Sequence, residues 1–321
     1  MKRTGIAILA ALLCLAPHLS LHARSAGMQP LAVMPDDGAG AIADFIKSSQ
    51  SSIDLIAHRL DDARIVDELA SAARRGVKVR VMLDKNPSEG EEANAASEAR
   101  LKAARVFTSW SDPHFSSTMA RAIVSDNRAA LVMTFDLVEE QLDGARGFAV
   151  LLRDSRDVAD LSWMFEADWK RARSSPLASS LVWEPNGART KLLSSIRTAT
   201  AHIDIYSDDI RDPDIQAAVA QAVKRGVVVR ILAGARSGDS PSGLNKAALA
   251  GASVRHLQGM PLSASAMIAD DGRGGRTAIV GISMLQAHAK KESRGLGVLI
   301  SDKARLSRLA EAFAKDWKGG K

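Results

Sequence analysis

Apolar residues in this chain recur at two alternating spacings, and the switch between them marks out its elements. Positions 40–49 are apolar at helical spacing, 52–57 read as a strand, and 63–75 return to helical spacing until Gly76 supplies a stop. Val77-Lys-Val-Arg-Val-Met-Leu83 alternates charged and apolar side chains, which predicts a strand with its charges turned outward. The acidic, Gly-containing stretch 84–94 predicts a surface loop, with a short helix and strand at 104–108 after it. Thr118-Met-Ala-Arg-Ala-Ile-Val-Ser-Asp126 predicts a half-buried strand running into an Asp-Asn turn. Residues two apart on a strand share a face, so Met119 and Arg121 point the same way. Strands at 129–133 and 148–152 and a helix ending near Trp169 close the unit. Strands alternating with helices predict an α/β layered fold.

The same order then returns. Leu31-Ala-Val-Met-Pro35 reappears as Leu181-Val-Trp-Glu-Pro185, and Ile53-Asp-Leu55 as Ile203-Asp-Ile205. Ala70-Ser-Ala-Ala-Arg-Arg-Gly-Val-Lys-Val-Arg80 reappears as Ala220-Gln-Ala-Val-Lys-Arg-Gly-Val-Val-Val-Arg230, all three pairs at an offset of 150. Arg146-Gly147 matches Arg294-Gly295, and Phe165-Glu-Ala-Asp-Trp169 matches Phe313-Ala-Lys-Asp-Trp317, at an offset of 148. The 118–126 run matches Leu262-Ser-Ala-Ser-Ala-Met-Ile-Ala-Asp270 at 144, with Ser263 and Ser265 sharing a face. One order of landmarks with small loop differences is an internal duplication. It divides the chain into repeat 1 (27–172), a Ser- and Ala-rich linker (173–182) and repeat 2 (183–321).

Composition refines this picture. A chain of 321 residues, 46% hydrophobic and 25% charged, reads as globular and can bury a large core. Residues 1–26 begin with Lys2 and Arg3, run apolar from Ile6 to Ala16 and offer small residues around Ser25, the pattern of a cleavable secretory signal. The apolar run is too short to span a bilayer, so a periplasmic or secreted protein without a transmembrane span is expected. Its removal takes Lys2, Arg3 and Arg24 but no acid, leaving 40 basic against 37 acidic residues, a net charge of +3. That balance, with only 4% aromatic residues, argues against broad nucleic-acid binding. The single cysteine, Cys14, leaves with the same segment, so neither a disulfide nor cysteine chemistry is expected. No P-loop, HExxH or dinucleotide signature is present, and neither a cofactor nor a metal is expected.

The duplicated landmarks together resemble the phospholipase D superfamily over essentially the whole mature chain. The resemblance implies a duplicated α/β fold: two mixed sheets flanked by helices, related by a pseudo-twofold with a central cleft. Members carry His-x-Lys-x-x-x-x-Asp once per repeat. One histidine attacks phosphorus, the other handles the leaving-group proton, and the lysines offset charge on the phosphoryl oxygens. On this chain the motif becomes Met119, Arg121 and Asp126 in repeat 1, and Ser263, Ser265 and Asp270 in repeat 2. The spacing and both aspartates persist, but both histidines are absent. Gly147 and Gly295 stand where active relatives usually have an acid, and Gly281-Ile-Ser-Met284 replaces Gly-Ser-x-Asn.

A thioether carries no transferable proton, and a serine hydroxyl is a poor nucleophile without a base beside it. Losing a general acid or base alone costs about 10²–10⁴-fold in rate, and here both roles are vacated. The expectation is therefore a catalytically degenerate protein. It would bind an anionic ligand, such as a phospholipid headgroup or other phosphodiester, or a protein partner, through Arg121, Ser263, Ser265 and His58. His58, just past a strand and aligned with Asp208, and His114, five residues before Met119, are the candidate substitutes for an active alternative. A structural envelope protein is a further alternative. His202 and His256 read as structural, and His288 as a loop residue. Arg121 could clasp an anion in two-pronged fashion or pair with Asp126 or a neighbouring acid. Asp126 and Asp270 head turns, where local backbone bonding favours Asp. Trp169 and Trp317 read as core.

Overall fold

The computed structural model describes residues 28–85, 87, 91–235, 242–270, 275–281 and 292–321. The expected signal segment, His288, the Asp271-Gly272 turn and residues 282–284 lie outside them.

Repeat 1 contains strands β1 (Leu31–Met34), β2 (Ser52–Ala57), β3 (Lys78–Leu83), β4 (Phe107–Trp110), β5 (Ala122–Ser125), β6 (Ala129–Met133) and β7 (Gly147–Leu152). Its helices are α1 (Gly40–Lys47), α2 (Ala63–Arg74), α3 (Ala95–Ala103), α4 (Glu139–Gly144) and α5 (Ser155–Trp169). Repeat 2 contains β8 (Leu181–Glu184), β9 (His202–Tyr206), β10 (Val228–Ala233), β11 (Ser253–His256), β12 (Ala266–Asp270), β13 (Arg276–Gly281) and β14 (Gly295–Ile300). With them go α6 (Ala188–Thr198), α7 (Pro213–Lys224), α8 (Ser242–Leu249) and α9 (Lys303–Gly319).

The first sheet has the order β1-β7-β6-β5-β2-β3-β4 and the second β8-β14-β13-β12-β9-β10-β11, the same arrangement twice. In each, three neighbouring strands are parallel (β2-β3-β4 and β9-β10-β11), and every other pairing is antiparallel. Helix starts repeat too. Asp62 and Asp212 accept the first free backbone N–H groups of α2 and α7, and Asp154 and Asp302 do so for α5 and α9.

Central strands are apolar throughout because both of their faces are covered. Leu31, Val33, Phe148, Val150 and Leu152 face one core, while Ala32, Met34, Ala149 and Leu151 face another. The first core joins the inner faces of both sheets with α5 and α9 between them. The outer faces are closed by α1–α3 in one repeat and by α6–α8 in the other. The fold is therefore layered, with one hydrophobic core common to both repeats.

Several expectations shift. Repeat 2 begins earlier than its expected boundary, because Leu181 and Val182 are buried in β8 and pair with Val298 and Gly297. The 118–126 run is a strand only from Ala122. Ahead of it, Thr118 bridges to Arg294 of the other repeat rather than to a sheet neighbour. The 84–94 stretch is not wholly surface. Asp84 and Asn94 are buried at its two ends, and α3 starts directly after Asn94. Trp169 and Trp317 are half-buried at the rim of the common core, stacked on Phe165 and Phe313, with Arg80 and Arg230 over the same rings.

Candidate functional site

The two motif positions lie on the seam between the repeats. Each is held there by the partner repeat's backbone. The Met119 and Ala120 N–H groups donate to the Arg294 carbonyl at 2.8 and 2.9 Å, and the Ser263 N–H donates to the Arg146 carbonyl at 2.9 Å. The two arginines then cross the seam. Arg146 makes a bidentate pair with Asp316 of α9 at 2.7 and 2.9 Å, and Arg294 does the same with Asp168 of α5 at 2.7 Å on both arms. All four side chains are buried. Tyr206 adds its hydroxyl to Asp316 at 2.8 Å.

Gly147 follows Arg146 because nothing larger fits. A Cβ there would sit 2.6 Å from Phe135 Cδ1, so any larger residue needs the Phe135 ring to move.

Around Met119 the first repeat holds a polar network at the carboxyl ends of parallel strands, the place where open α/β sheets present ligand sites. His58 follows β2, Asp84 follows β3 and Ser111 follows β4. His58 Nδ1–H donates to Asp84 Oδ2 at 2.9 Å, which leaves Nε2 as the other ring nitrogen. Asp84 also accepts from Ser111 Oγ at 3.1 Å and Ser117 Oγ at 2.6 Å. Ser117 Oγ in turn lies 3.4 Å from Met119 Sδ. Asn94 fixes the strand ends by donating to the His58 and Asp84 carbonyls at 2.8 and 2.9 Å.

Arg121, in the old lysine position, is buried against Asp136, to which its Nε donates, while Nη1 donates to the Met119 carbonyl at 3.0 Å. Burial alone would raise the Asp136 pKa. The Arg121 and His58 charges outweigh it and hold the carboxyl below its ordinary range. The guanidinium is thus committed to an acid of its own repeat, and that acid is Asp136 rather than Asp126.

Asp126 instead faces the start of β2. It accepts from the Gln50, Ser51 and Ser52 N–H groups and from the Ser51 hydroxyl. Asp270 takes the Thr200, Ala201 and His202 N–H groups in the same way. These bonds cross some 70 residues of chain, so the aspartates do not serve local turns; each ties the loop before β2 or β9 to the far end of its motif strand. Burial raises both pKa values, but the backbone donors dominate and hold both carboxyls below the usual range.

The second repeat's counterpart is thinner. Asp208 replaces His58 and Gly234 replaces Asp84, with the Gly234 N–H donating to Asp208 Oδ1 at 2.8 Å. Burial pushes the Asp208 pKa up. Ser263 and Ser265 are half-buried, and Ser265 Oγ, itself buried, makes no hydrogen bond among the described residues. His256 Nδ1 lies 2.9 Å from the Gly234 carbonyl, and His202 is exposed at the start of β9. His114 is also away from the network: its side chain is 73% exposed and pairs with Asp112. No group of three His, Cys, Asp or Glu among the described residues is placed to hold a metal, and no described helix is long and apolar enough to cross a membrane.

Reading the sequence alone missed Asp84, Asp136, Ser111, Ser117 and Asn94. The available signal was position, since Asp84 directly follows a parallel strand.

Residues 42–169, within repeat 1, match the family model described as cardiolipin synthase, PLD-like domain. A search of curated proteins finds no match. Among solved structures, polyphosphate kinase from Porphyromonas gingivalis aligns with 88% of this chain at 14% identity and a TM-score of 0.69, and the chain spans 49% of that protein. Phosphatidylserine synthase from Haemophilus influenzae Rd KW20 aligns over 88% of this chain and 84% of its own at 13% identity, with a TM-score of 0.64. At these identities the likeness concerns fold. Residues 42–169 thus carry a PLD-like domain, and the whole chain has a duplicated α/β fold shared with these two structures.

Proposed function

We propose that this protein is an exported, non-hydrolytic member of its superfamily that binds an anionic ligand of the phosphodiester or phospholipid-headgroup class without cleaving it. One observation carries the reading: Met119 and Ser263 occupy the two positions that must hold a nucleophile and a proton carrier, and neither side chain can do that work. The burial of Arg121 against Asp136 adds to it, because that cation is already neutralised and cannot follow charge building on a phosphoryl group. Recognition would fall to the hydroxyls of Ser263 and Ser265 and to His58, with Ser265 Oγ, which has no partner among the described residues, a donor in search of an acceptor. Arg121 would serve by position rather than by direct contact. A protein partner seated on the same seam is the other form of this binding role.

A second reading, an active phosphodiesterase, draws on the His58–Asp84 pair, where a carboxylate orients an imidazole as a base or nucleophile requires.

Turnover of bis(p-nitrophenyl) phosphate without added metal separates the two. The binding reading expects none from the natural chain, together with a rise in melting temperature with phosphate or anionic lipid vesicles. Turnover abolished by His58→Ala would overturn it. Installing Met119→His and Ser263→His together tests whether the seam still admits substrate, with recovered turnover as the expected result.

A further inference from the structure

On the other side of repeat 1, away from the seam, α5 and the linker enclose a groove of about 690 Å³ lined partly by the starts of β2 and β3. We infer that this groove is a binding site for a neutral oligosaccharide, built around Trp163.

Trp163 is 51% exposed, yet it is not loose: its Nε1–H donates to the Ser175 carbonyl at 3.2 Å. An indole tethered by its polar edge presents a fixed apolar face to solvent, and Leu177 beside it is 47% exposed. Around this platform stand Ser52, Ser155, Ser162 and Asn127, short side chains able to donate and accept, with Ser162 Oγ donating to Asn127 Oδ1 at 3.2 Å. Such a surface matches a pyranose ring, which offers an apolar C–H face and a rim of hydroxyls.

The charges exclude a strongly ionic ligand. Asp54 and Glu166 face Arg80 at 2.7–2.8 Å, and Lys78 adds the second cation, so two acids and two bases leave the lining neutral. The volume lies within the range of roughly 300–1,000 Å³ typical of small-ligand sites, with room for roughly two or three sugar rings.

The duplication supplies an internal control. The buried ion pair returns in repeat 2 as Asp204 and Arg230 at 2.7 Å, because it supports the sheet in both halves. The lining does not return. At the same offsets Trp163 becomes Glu311, Ser162 becomes Ala310, Ser155 becomes Lys303 and Lys78 becomes Val228. A groove of about 590 Å³ does return beside α9, with Thr277, Ser301 and Ser307 in its lining, but the aromatic platform belongs to repeat 1 alone, and it shares no residue with the motif positions.

The test is calorimetric titration of the full chain with maltotriose, cellotriose and tri-N-acetylchitotriose, alongside inorganic phosphate. One neutral trisaccharide is expected to bind, with affinity falling more than about tenfold in Trp163→Ala and less in Trp163→Phe, as for an aromatic anchor. Met119→Ala, on the seam, should leave that affinity unchanged. An unaltered melting temperature for Trp163→Ala establishes that it folds. No saccharide binding up to about 10 mM, binding indifferent to Trp163→Ala, or displacement of the sugar by phosphate would each overturn the inference.

Discussion

The two ends of the seam share one plan and differ in what fills it. In repeat 1 a dense network stands behind Met119: Arg121 on Asp136, and His58 on Asp84 with Ser111 and Ser117. In repeat 2 the same positions hold Ser263, Ser265, Asp208 and Gly234, and one hydroxyl has no partner among the described residues. The supports farther out are nearly identical in both. Asp126 and Asp270 gather the same backbone donors, and Arg146 and Arg294 make the same crossed pairs. A residue whose only task was chemistry can change alone, because losing it leaves nothing unsatisfied. A buried charge can leave only together with its partner. Repeat 2 illustrates this within the chain: where repeat 1 has Arg121 and Asp136, the corresponding positions are Ser265 and Met284, cation and acid both absent.

The sharpest challenge to that comparison is the crossed pairs. Asp316→Ala and Asp168→Ala each take the bidentate partner from a buried guanidinium, leaving Arg146 only Asp36 at 3.5 Å and the Met34 carbonyl, and Arg294 only Asn186 at 3.4 Å, so each should cost about 3–5 kcal/mol in denaturant unfolding, alike in the two directions. A large loss from one and none from the other would break the equivalence of the supports. Next comes conversion of the first site into the second. Arg121→Ser and Asp136→Met should each destabilise, while the double variant should recover on the order of 1–3 kcal/mol of their summed loss. Additive losses would show that the pair does not act as a unit.

A smaller effect concerns the motif aspartates. Asp126→Asn and Asp270→Asn should each lower stability by about 1–3 kcal/mol near neutral pH. Both folded-state pKa values lie below the ordinary 3.8, so this stability is present above that value and lost as pH falls through the folded pKa values. Acid unfolding of the natural chain should therefore be steeper than that of either variant below about pH 4. Parallel acid limbs would remove the aspartates from the list of supports.

Much of the fold was legible because the duplication states each element twice and because the strands, covered on both faces, read as plain apolar runs. Gly76 and Gly226 close α2 and α7 with positive φ, as their positions predict. The motif positions were legible for the same reason, since spacing survives the loss of the residues it once spaced. Partnerships across the sequence were not. Only its place directly after β3 marks Asp84 as the buried start of an otherwise acidic, Gly-containing stretch. The expected partners of Arg121 included Asp126 at the far end of its own strand, yet Asp136, just after β6, is the acid it bonds. Asp126 and Asp270 look like turn residues because their donors lie on other elements.

The crossed arginines carry one more implication. Each half supplies the counterion for the other half's buried guanidinium, and the inner core is complete only when both sheets are present. Either half expressed alone would carry a guanidinium and a carboxylate without their bidentate partners, and an open apolar face. The 170–180 connection, by contrast, is bound to repeat 1, where Asp160 and Asp157 of α5 accept from the Leu177 and Ser180 N–H groups at 2.8 Å. A chain severed within it should still reassemble from its two pieces when they are made together, and neither piece should remain soluble by itself.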